Sequence, residues 1–219
     1  MILGKIKSLL LSEERHPTPF PKIYINGVID RKSSARIIAD IHELASSAYF
    51  LQQKGKWSFG NIISGNKTWD LVPMPIDIII NSPGGSSDEM FAIYDTINLY
   101  QSSGLVFRSF GFGLIASAAS MLFVCANQRF VGDNAKFMLH GGAGFFGGSP
   151  NEIKEALERY DKDTEQYKNL IVANSNLTPE VVEGMMKDGK DHFFTAKEML
   201  ESGLADKATS DVRIYEYLV

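Results

Sequence analysis

The chain has 219 residues, of which 44% are hydrophobic and 22% charged, a composition typical of a globular protein with one substantial core. Its 22 lysines and arginines against 26 aspartates and glutamates give a net charge of -4, and no basic block is present to neutralise a nucleic-acid backbone. The single cysteine excludes an internal disulfide, and no cysteine–histidine cluster has zinc-ligand spacing. These features predict one domain inside a cell, with no nucleic-acid partner and no metal.

The first 21 residues predict a segment separate from the folded body. Residues 1–11 combine apolar residues with two lysines, and the longest apolar run is three residues. Such a run is too short for a signal-peptide core or a membrane span, so a short amphipathic helix is favoured and no membrane is expected as a partner. Three prolines between residues 17 and 21 then predict an extended connector, and the folded body is expected to begin near Lys22.

The next stretch predicts a β–α unit, an irregular segment and a second strand. Residues 23–29 form a short β-rich run, and a helical pattern over residues 37–48 follows a pair of serines. Residues 51–75 show no sustained period and predict a long loop or a small hairpin. Residues 76–81 are mostly apolar and predict a buried strand.

Strands and helices alternate over the middle of the chain. The predicted strands are 105–110, 128–131 and 136–139, the predicted helices are 86–100 and 117–126, and a turn is predicted at 111–113. Ser86 and Glu89 have the spacing of a capping box at the start of the first helix. Cys125 lies beside the apolar run of the second helix, where packing explains it better than catalysis.

A glycine-rich segment precedes the longest predicted helix. Residues 141–148 contain five glycines in eight positions, which indicates that another group approaches this backbone closely. Residues 151–174 carry an apolar stripe of heptad type, and one helix over them would be about 36 Å long. Such a helix projects to pack against a partner subunit or packs on the core of its own chain. Further helices are predicted at 179–187 and 195–203.

Three local features can carry chemistry. Gly84 and Gly85 lie between a buried strand and a helix start, where unpaired N–H groups favour negative charge, so the N–H of Gly85 is a candidate oxyanion donor. Ser117 begins a small-residue helix after a glycine turn, and the N–H of Ala118 would point at the same anion. His140 ends a buried strand at the glycine-rich opening and is the candidate general base.

Each feature also has an ordinary structural explanation. The glycines could form a simple Pro-Gly-Gly turn, the serine could cap a tightly packed helix, and the histidine could be a satisfied structural residue. Taken one at a time, the residues leave these alternatives open.

Several motifs together resemble ClpP, the serine peptidase subunit of the Clp protease. They occur in the family order, and the resemblance as a whole covers roughly residues 22–208. The Gly-Leu-Ile-Ala-Ser-Ala-Ala-Ser form is especially similar to phage-type ClpP-like peptidases. The motifs are Asn81–Gly85, Ala92–Ile97, Gly113–Met121, Gln128–Phe130, Met138–His140, Phe194–Ala196 and Gly203–Asp206.

The resemblance implies an α/β fold, the spiral of β-β-α units that ClpP shares with the crotonases, with a projecting long helix called the handle. It also implies a Ser-His-Asp triad in which Ser117 is the nucleophile, His140 the base and Asp191 the residue that orients the histidine. Asp188 is the rival of Asp191, and Ser120 is the rival of Ser117 because Ala118–Met121 echoes the Ala-Ala-Ser-Met of the family.

Family architecture further implies how substrate and subunits are arranged. Residues 141–148 are expected to form an edge strand that binds an extended peptide, with the long helix interdigitated between two stacked rings. The residues expected to contact substrate are Gly84, Gly141, Gly142, Ala143 and Gly144. In this arrangement the chain is a homo-oligomer of the cytoplasm that binds a polypeptide substrate, needs no metal or organic cofactor, and works with an AAA+ unfoldase.

The chain departs from the family pattern at three places. Residues 1–21 lack the usual axial-loop pattern, residues 51–75 resemble an insertion, and Gly141-Gly142 replace a proline that follows the histidine in the family. We therefore expect an N-terminal segment at 1–21 and a peptidase domain at 22–219, whose glycine-rich strand and handle helix occupy 141–174. The alternatives to a serine endopeptidase are a non-catalytic ring subunit that serves as a scaffold and a crotonase-type acyl-CoA enzyme.

Overall fold

The computed structural model describes residues 20–53, 69–142, 144 and 147–211. Most of the predicted N-terminal segment, the middle of the 51–75 segment and Ala143 therefore lie outside the described residues. In chain order the strands are β1 (Lys22–Asn26), β2 (Tyr49–Gln53), β3 (Trp69–Pro73), β4 (Ile76–Ser82), β5 (Phe107–Ala116), β6 (Gln128–Val131), β7 (Lys136–Leu139), β8 (His192–Thr195) and β9 (Lys207–Ala208). The helices are α1 (Arg31–Ser47), α2 (Ser87–Ser102), α3 (Ala118–Val124), α4 (Pro150–Ala173), α5 (Pro179–Lys187) and α6 (Ala196–Glu201), and a 3-10 turn spans Thr209–Asp211.

A mostly parallel sheet forms the centre of the fold. Its main path runs β1-β4-β5-β6-β9, and all of these neighbours are parallel. The ten-residue β5 pairs with β6 along its first part and with β7 along its last part. Strand β8 pairs antiparallel with β7. The α/β prediction is confirmed, since β–α connections join parallel strands of one sheet.

The course of β5 corrects one prediction. The sequence predicted a turn at 111–113, whereas the strand continues through these residues to Ala116. Gly113 adopts a φ of +62°, and the register between β4 and β5 shifts between Ile80 and Ser82, so the glycine serves as an irregularity within the strand. A Cβ at Gly113 would lie 2.8 Å from Asn81 Oδ1. Strand β5 therefore ends at Ala116, the residue immediately before Ser117.

The core is built from the buried faces of the sheet and its helices. Both isoleucines of β1 and all those of β4 except Ile79 are almost completely buried, as are Phe107, Phe123 and Phe137. Helices α1 and α2 pack against each other, and α3 packs against β5. Helix α1 begins at Arg31, earlier than the paired serines indicated, because Asp30 caps it and Ser33 returns a hydrogen bond to the Asp30 N–H.

The segment predicted as a loop or small hairpin contains a strand pair. β2 and β3 pair antiparallel from Tyr49↔Pro73 to Gln53↔Trp69. This agrees with the hairpin alternative, while the assignment of residues 51–75 as an insertion stays a prediction. No helix among the described residues is long and apolar enough to cross a membrane.

Helix α4 has two different halves. Near its end Ile171 is completely buried in the core, whereas Leu157 in its first half is 44% exposed. The start is stabilised locally, by Pro150 in the first turn and by a capping box between Ser149 and Glu152. The core-packing alternative therefore applies to the second half, whereas packing of the first half against a partner subunit stays a prediction.

The predicted edge strand in the glycine-rich segment is not formed in the described part of this segment. Gly141, Gly142, Gly144 and Gly147 lie outside any strand of the single chain. Gly141 instead packs against the backbone of α5, so closely that a Cβ would lie 1.8 Å from the carbonyl oxygen of Met186. This contact explains why the residue after His140 has no side chain.

Candidate active site

A sharp bend joins β5 to α3, and Ser117 occupies it. Its φ of 54° and ψ of -126° make it the one non-glycine residue with positive φ in the described ranges. This region costs an ordinary residue on the order of 1–3 kcal/mol, so surrounding contacts must maintain it. The Ser117 N–H donates to the Met138 carbonyl over 3.0 Å, and its own carbonyl accepts from the Ser120 N–H over 2.8 Å.

The pairing of β5 with β7 brings His140 to Ser117. Ala116 is in register with Met138, so the chain segments that leave these two strands start side by side. The two side chains meet with a distance of 2.8 Å between His140 Nε2 and Ser117 Oγ. When the neutral imidazole is protonated at Nδ1, its Nε2 accepts the hydrogen bond from the serine hydroxyl.

Asp191 reaches His140 through β8, a strand that the sequence analysis missed. β7 and β8 pair antiparallel with Leu139 opposite His192, which places Asp191 opposite His140. Asp191 Oδ1 lies 3.3 Å from His140 Nδ1, on the side of the ring away from Ser117. The Asp191 side chain is 55% exposed, compared with 24% for His140. The strand covers only four residues, and its sequence His-Phe-Phe-Thr does not alternate between apolar and polar residues, so no local pattern predicted it.

The two rival residues lie in different surroundings. Ser120 is completely buried, and its hydroxyl contacts the carbonyl oxygens of Ile115 and Met138 at 3.2 and 2.8 Å. Asp188 Oδ1 lies 3.0 Å from His192 Nε2, and this interaction lowers the pKa of the Asp188 carboxyl. The structure thus brings Ser117, His140 and Asp191 into one connected row, whereas Asp188 belongs to a neighbouring His–Asp pair.

Glycines border the space next to Ser117. A Cβ on Gly84 would lie 2.6 Å from the Ala116 carbonyl oxygen and 2.9 Å from the Ala118 nitrogen, so the turn after β4 packs directly on the bend. Gly85 lies against Ile29, whose N–H donates to the Gly84 carbonyl over 2.8 Å. Among the described turns, loops and helix caps, no backbone hydrogen bond uses the N–H groups of Gly85 and Ala118. Two backbone donors thus remain available near the serine.

The remaining predicted site residues lie at the start of the glycine-rich segment. Gly141 and Gly142 follow His140, and the Tyr160 hydroxyl of α4 contacts both carbonyl oxygens, between which its single proton is shared. Gly144 is exposed, and Ala143 lies outside the described residues. No group of three or more potential metal-ligating side chains occurs in the part of the chain that the structure describes.

Comparison with known proteins points to one family. A sequence model of the Clp protease family matches residues 72–211. The chain belongs to the Clp protease family. It is 37% identical over 134 residues to "ATP-dependent Clp protease proteolytic subunit 2" of Tropheryma whipplei (strain Twist), a match that covers 60% of this chain and 71% of that relative. It is 32% identical over 134 residues to "ATP-dependent Clp protease proteolytic subunit 1" of Leifsonia xyli subsp. xyli (strain CTCB07), covering 60% of this chain and 65% of that relative.

The segment that matches the Clp protease family includes Ser117, His140 and Asp191, and it also includes Gly84 and Gly85. The family model begins at residue 72, whereas the motif resemblance was drawn from about residue 22. Strand β1 and helix α1 precede the match, yet β1 pairs with β4 over five residues. The ClpP-type α/β fold thus continues beyond the segment that the family comparison recognises.

Proposed function

We propose that this chain is a self-compartmentalising serine endopeptidase that hydrolyses unfolded polypeptides and peptides. The observation that carries this proposal is the row Ser117–His140–Asp191, with contacts of 2.8 and 3.3 Å, beside a glycine-lined space. This is the arrangement in which a hydroxyl, a base and an orienting carboxylate act as one unit.

In the first half of the reaction, Ser117 Oγ attacks the scissile carbonyl carbon while His140 Nε2 accepts the hydroxyl proton. Asp191 accepts the hydrogen bond from Nδ1, which holds the required tautomer and stabilises the imidazolium as it forms. The C–N bond then breaks, and His140 returns the proton to the departing amine. The product is an ester between Ser117 and the acyl part of the substrate.

Water completes the cycle by the same steps. His140 takes a proton from the water as its oxygen attacks the ester carbon, and gives that proton to Ser117 Oγ as the ester bond breaks. In both halves the carbonyl oxygen becomes negatively charged, and the N–H groups of Gly85 and Ala118 stabilise it. Removal of one such donor typically costs about a hundredfold to a thousandfold in kcat.

Substrate binding uses the backbone rather than a deep side-chain pocket. The peptide lies extended and pairs, as an added strand, with Gly141, Gly142, Ala143 and Gly144. Because Gly84 has no side chain, the scissile carbonyl group of the peptide can approach Ser117. The close packing of Gly141 on α5 and the Tyr160 contacts support a defined position for Gly141 and Gly142. Main-chain pairing of this kind is tolerant of sequence, as expected for an enzyme that degrades many proteins.

Assembly would supply the selectivity that the site lacks. In this proposal, residues 22–219 form the peptidase domain, and the exposed first half of α4 packs between copies in two stacked rings in the cytoplasm. The names of both relatives contain "ATP-dependent" and "proteolytic subunit", which supports an AAA+ unfoldase as the partner that delivers folded proteins. Peptide hydrolysis itself would then need no ATP and no metal.

Fluorophosphonate labelling followed by peptide mapping tests the site. We expect a covalent adduct on Ser117, and we expect Ser117→Ala to lose at least about a thousandfold of the activity on an unstructured peptide. A Ser120 adduct in an assembled sample, or full activity in Ser117→Ala, would contradict the proposal.

The solution mass tests the assembly. A multiple of 24.3 kDa is expected for the wild type. Leu157→Glu places a charge on the exposed apolar face of α4 and should reduce the mass. Gln166→Glu adds the same charge at an exposed position on the opposite side of the helix and should leave it unchanged. A single-chain mass for the wild type would exclude an enclosed chamber.

A further inference from the structure

Helix α4 reaches the catalytic bend through one tyrosine. The Tyr167 hydroxyl donates a hydrogen bond to the backbone carbonyl of Ser117 over 3.1 Å. Burial raises the pKa of Tyr167, and a hydrogen bond with Ser120 acts in the opposite direction. The hydroxyl is therefore a neutral donor at any pH at which the protein works.

We propose that Tyr167 is a positioning residue that aims the Ala118 N–H at the oxyanion by holding the Ser117 carbonyl. This inference rests on the proposed function, in which Ala118 supplies one of two oxyanion donors. It extends that function to α4, because a residue of the long helix then acts on the reaction without touching substrate.

The reason lies in the geometry of one peptide unit. The Ser117 carbonyl and the Ala118 N–H belong to the same planar trans peptide, so they point in opposite directions and rotate together. A hydrogen bond that fixes the carbonyl on the α4 side therefore fixes the direction of the N–H on the other side. Rotation of this peptide would change the ψ of Ser117 and relax its strain.

The other contacts of Ser117 do not fully prevent this rotation. The hydrogen bond from the Ser117 N–H to Met138 restrains the preceding peptide, not the one that contains the Ser117 carbonyl. Ser120 donates its N–H to the same carbonyl within the first turn of α3, over 2.8 Å. The hydrogen bond from Tyr167 connects this peptide to a different helix, α4. The side chain of Tyr167 is held in place because it packs against the hydrophobic core.

Tyr160 provides an internal comparison on the same helix. It lies seven residues before Tyr167, which is two helical turns, so both side chains extend from one face of α4. Its hydroxyl contacts the carbonyls of Gly141 and Gly142, which belong to the proposed peptide-binding segment. Loss of this hydroxyl should therefore weaken peptide binding, whereas loss of the Tyr167 hydroxyl should slow the chemical step.

The test uses Tyr167→Phe, Tyr160→Phe and Tyr100→Phe in the assembled full-length protein. Each variant loses a single hydroxyl and keeps the aromatic ring. Tyr100 is the matched control, because its hydroxyl lies 2.7 Å from His42 Nδ1 on α1, away from the site. The measurements are kcat and KM on an unstructured peptide, the rate of Ser117 labelling by a small fluorophosphonate, and the melting temperature.

For Tyr167→Phe we expect about a tenfold loss in both kcat and labelling rate with an unchanged KM, since the oxyanion donor is misdirected rather than removed. Tyr160→Phe should raise KM and leave labelling by the small probe unchanged. If Tyr167→Phe matched Tyr100→Phe in both rates, with or without a fall in melting temperature, the inference would be wrong. If the wild type itself were not labelled at Ser117, the proposed function would fail instead.

Discussion

The short helix α3 has a nucleophilic side chain at each end. Ser117 precedes its first residue, and its hydroxyl lies 2.8 Å from His140 Nε2. Cys125 follows its last residue, where it is buried and its thiol contacts the Leu122 carbonyl. Burial raises the pKa of Cys125 to about 12, so the thiol stays protonated at neutral pH.

At these two positions, the surroundings of a side chain matter more than the intrinsic reactivity of its hydroxyl or thiol. A thiol is the better nucleophile, because an exposed cysteine ionises far more readily than a serine. At the start of α3, however, N–H donors and a histidine favour negative charge. At its end, burial and backbone carbonyls oppose it. The more reactive atom is thus placed where burial keeps it protonated, and the less reactive one is placed beside a histidine.

The largest predicted effect comes from removal of the carboxylate behind His140. Asp191→Asn should lower kcat by about a thousandfold, because the amide no longer stabilises the imidazolium and allows the wrong tautomer. Activity on an unstructured peptide measures this loss.

Asp188→Asn is the matched control for this change. It makes the same substitution three residues earlier, in the carboxylate that contacts His192 rather than His140. We expect Asp188→Asn to retain activity within about threefold. Equal losses in the two variants would show that the whole segment, and not the contact with His140, sustains the reaction.

The start of α3 can also be disturbed by a side chain at Gly84, the glycine that packs against Ser117. Gly84→Ala should lower the peptidase activity by about a hundredfold, because the added Cβ would lie 2.6 Å from the Ala116 carbonyl and 2.8 Å from the Ser117 Cβ. To relieve this clash, the bend between β5 and α3 that carries Ser117 would have to move.

Gly104→Ala separates this clash from backbone strain. Gly104 has a φ of +91°, close to the +93° of Gly84, but a Cβ there would meet nothing within 4 Å. Backbone strain should cost both variants roughly 1–2 kcal/mol in the free energy of unfolding, since both force alanine into a left-handed conformation, and Gly84→Ala should lose more because of its clash. Only Gly84→Ala should lose activity, and an equal loss in Gly104→Ala would rule out the clash as the cause.

The two ends of α3 also show how much could be predicted from sequence. Ser117, His140 and the paired glycines Gly84 and Gly85 stand beside short apolar runs, so local pattern alone made them candidates. No local pattern could predict that these side chains contact one another, because the contacts depend on how the strands pair. Ala116 lies beside Met138, and Leu139 lies beside His192. Only the family resemblance pointed to Asp191, because β8 has four residues and its sequence His-Phe-Phe-Thr does not alternate between apolar and polar residues.

Other features depended on contacts that no local pattern contains. The positive φ of Ser117 arises where a strand passes into a helix, and the turn predicted at 111–113 was wrong because Asn81 accommodates Gly113 within β5. The role of Tyr167 requires α4 to lie across the bend. Helical periodicity predicted α4 within one residue at each end, but not which half would contact the core.

The comparison can be sharpened by placing a thiol at both ends of the helix. In Ser117→Cys, the introduced thiol faces His140, which should lower its pKa and promote reaction with iodoacetamide at pH 7. The thiol of Cys125 should react at least about tenfold more slowly in the same folded molecule. Peptide mapping after a timed reaction measures the ratio, and urea-unfolded protein provides the control in which both thiols react. Comparable labelling in the folded state would refute the contrast.

The smallest predicted effect concerns Cys125 and alkaline pH. The folded state holds the thiol proton up to about pH 12, whereas the unfolded chain loses it above the ordinary value of 9.0. Its contribution to the free energy of unfolding is therefore fully present below about pH 9 and declines as the pH rises toward 12. Cys125→Ala lacks this contribution, so the stability difference from the wild type should shrink between pH 7 and pH 10.5 in urea titrations, on the order of 1–2 kcal/mol. A difference that stays constant with pH would mean that the thiol is more accessible than its burial implies, and Cys125 would then no longer be the inert end of the helix.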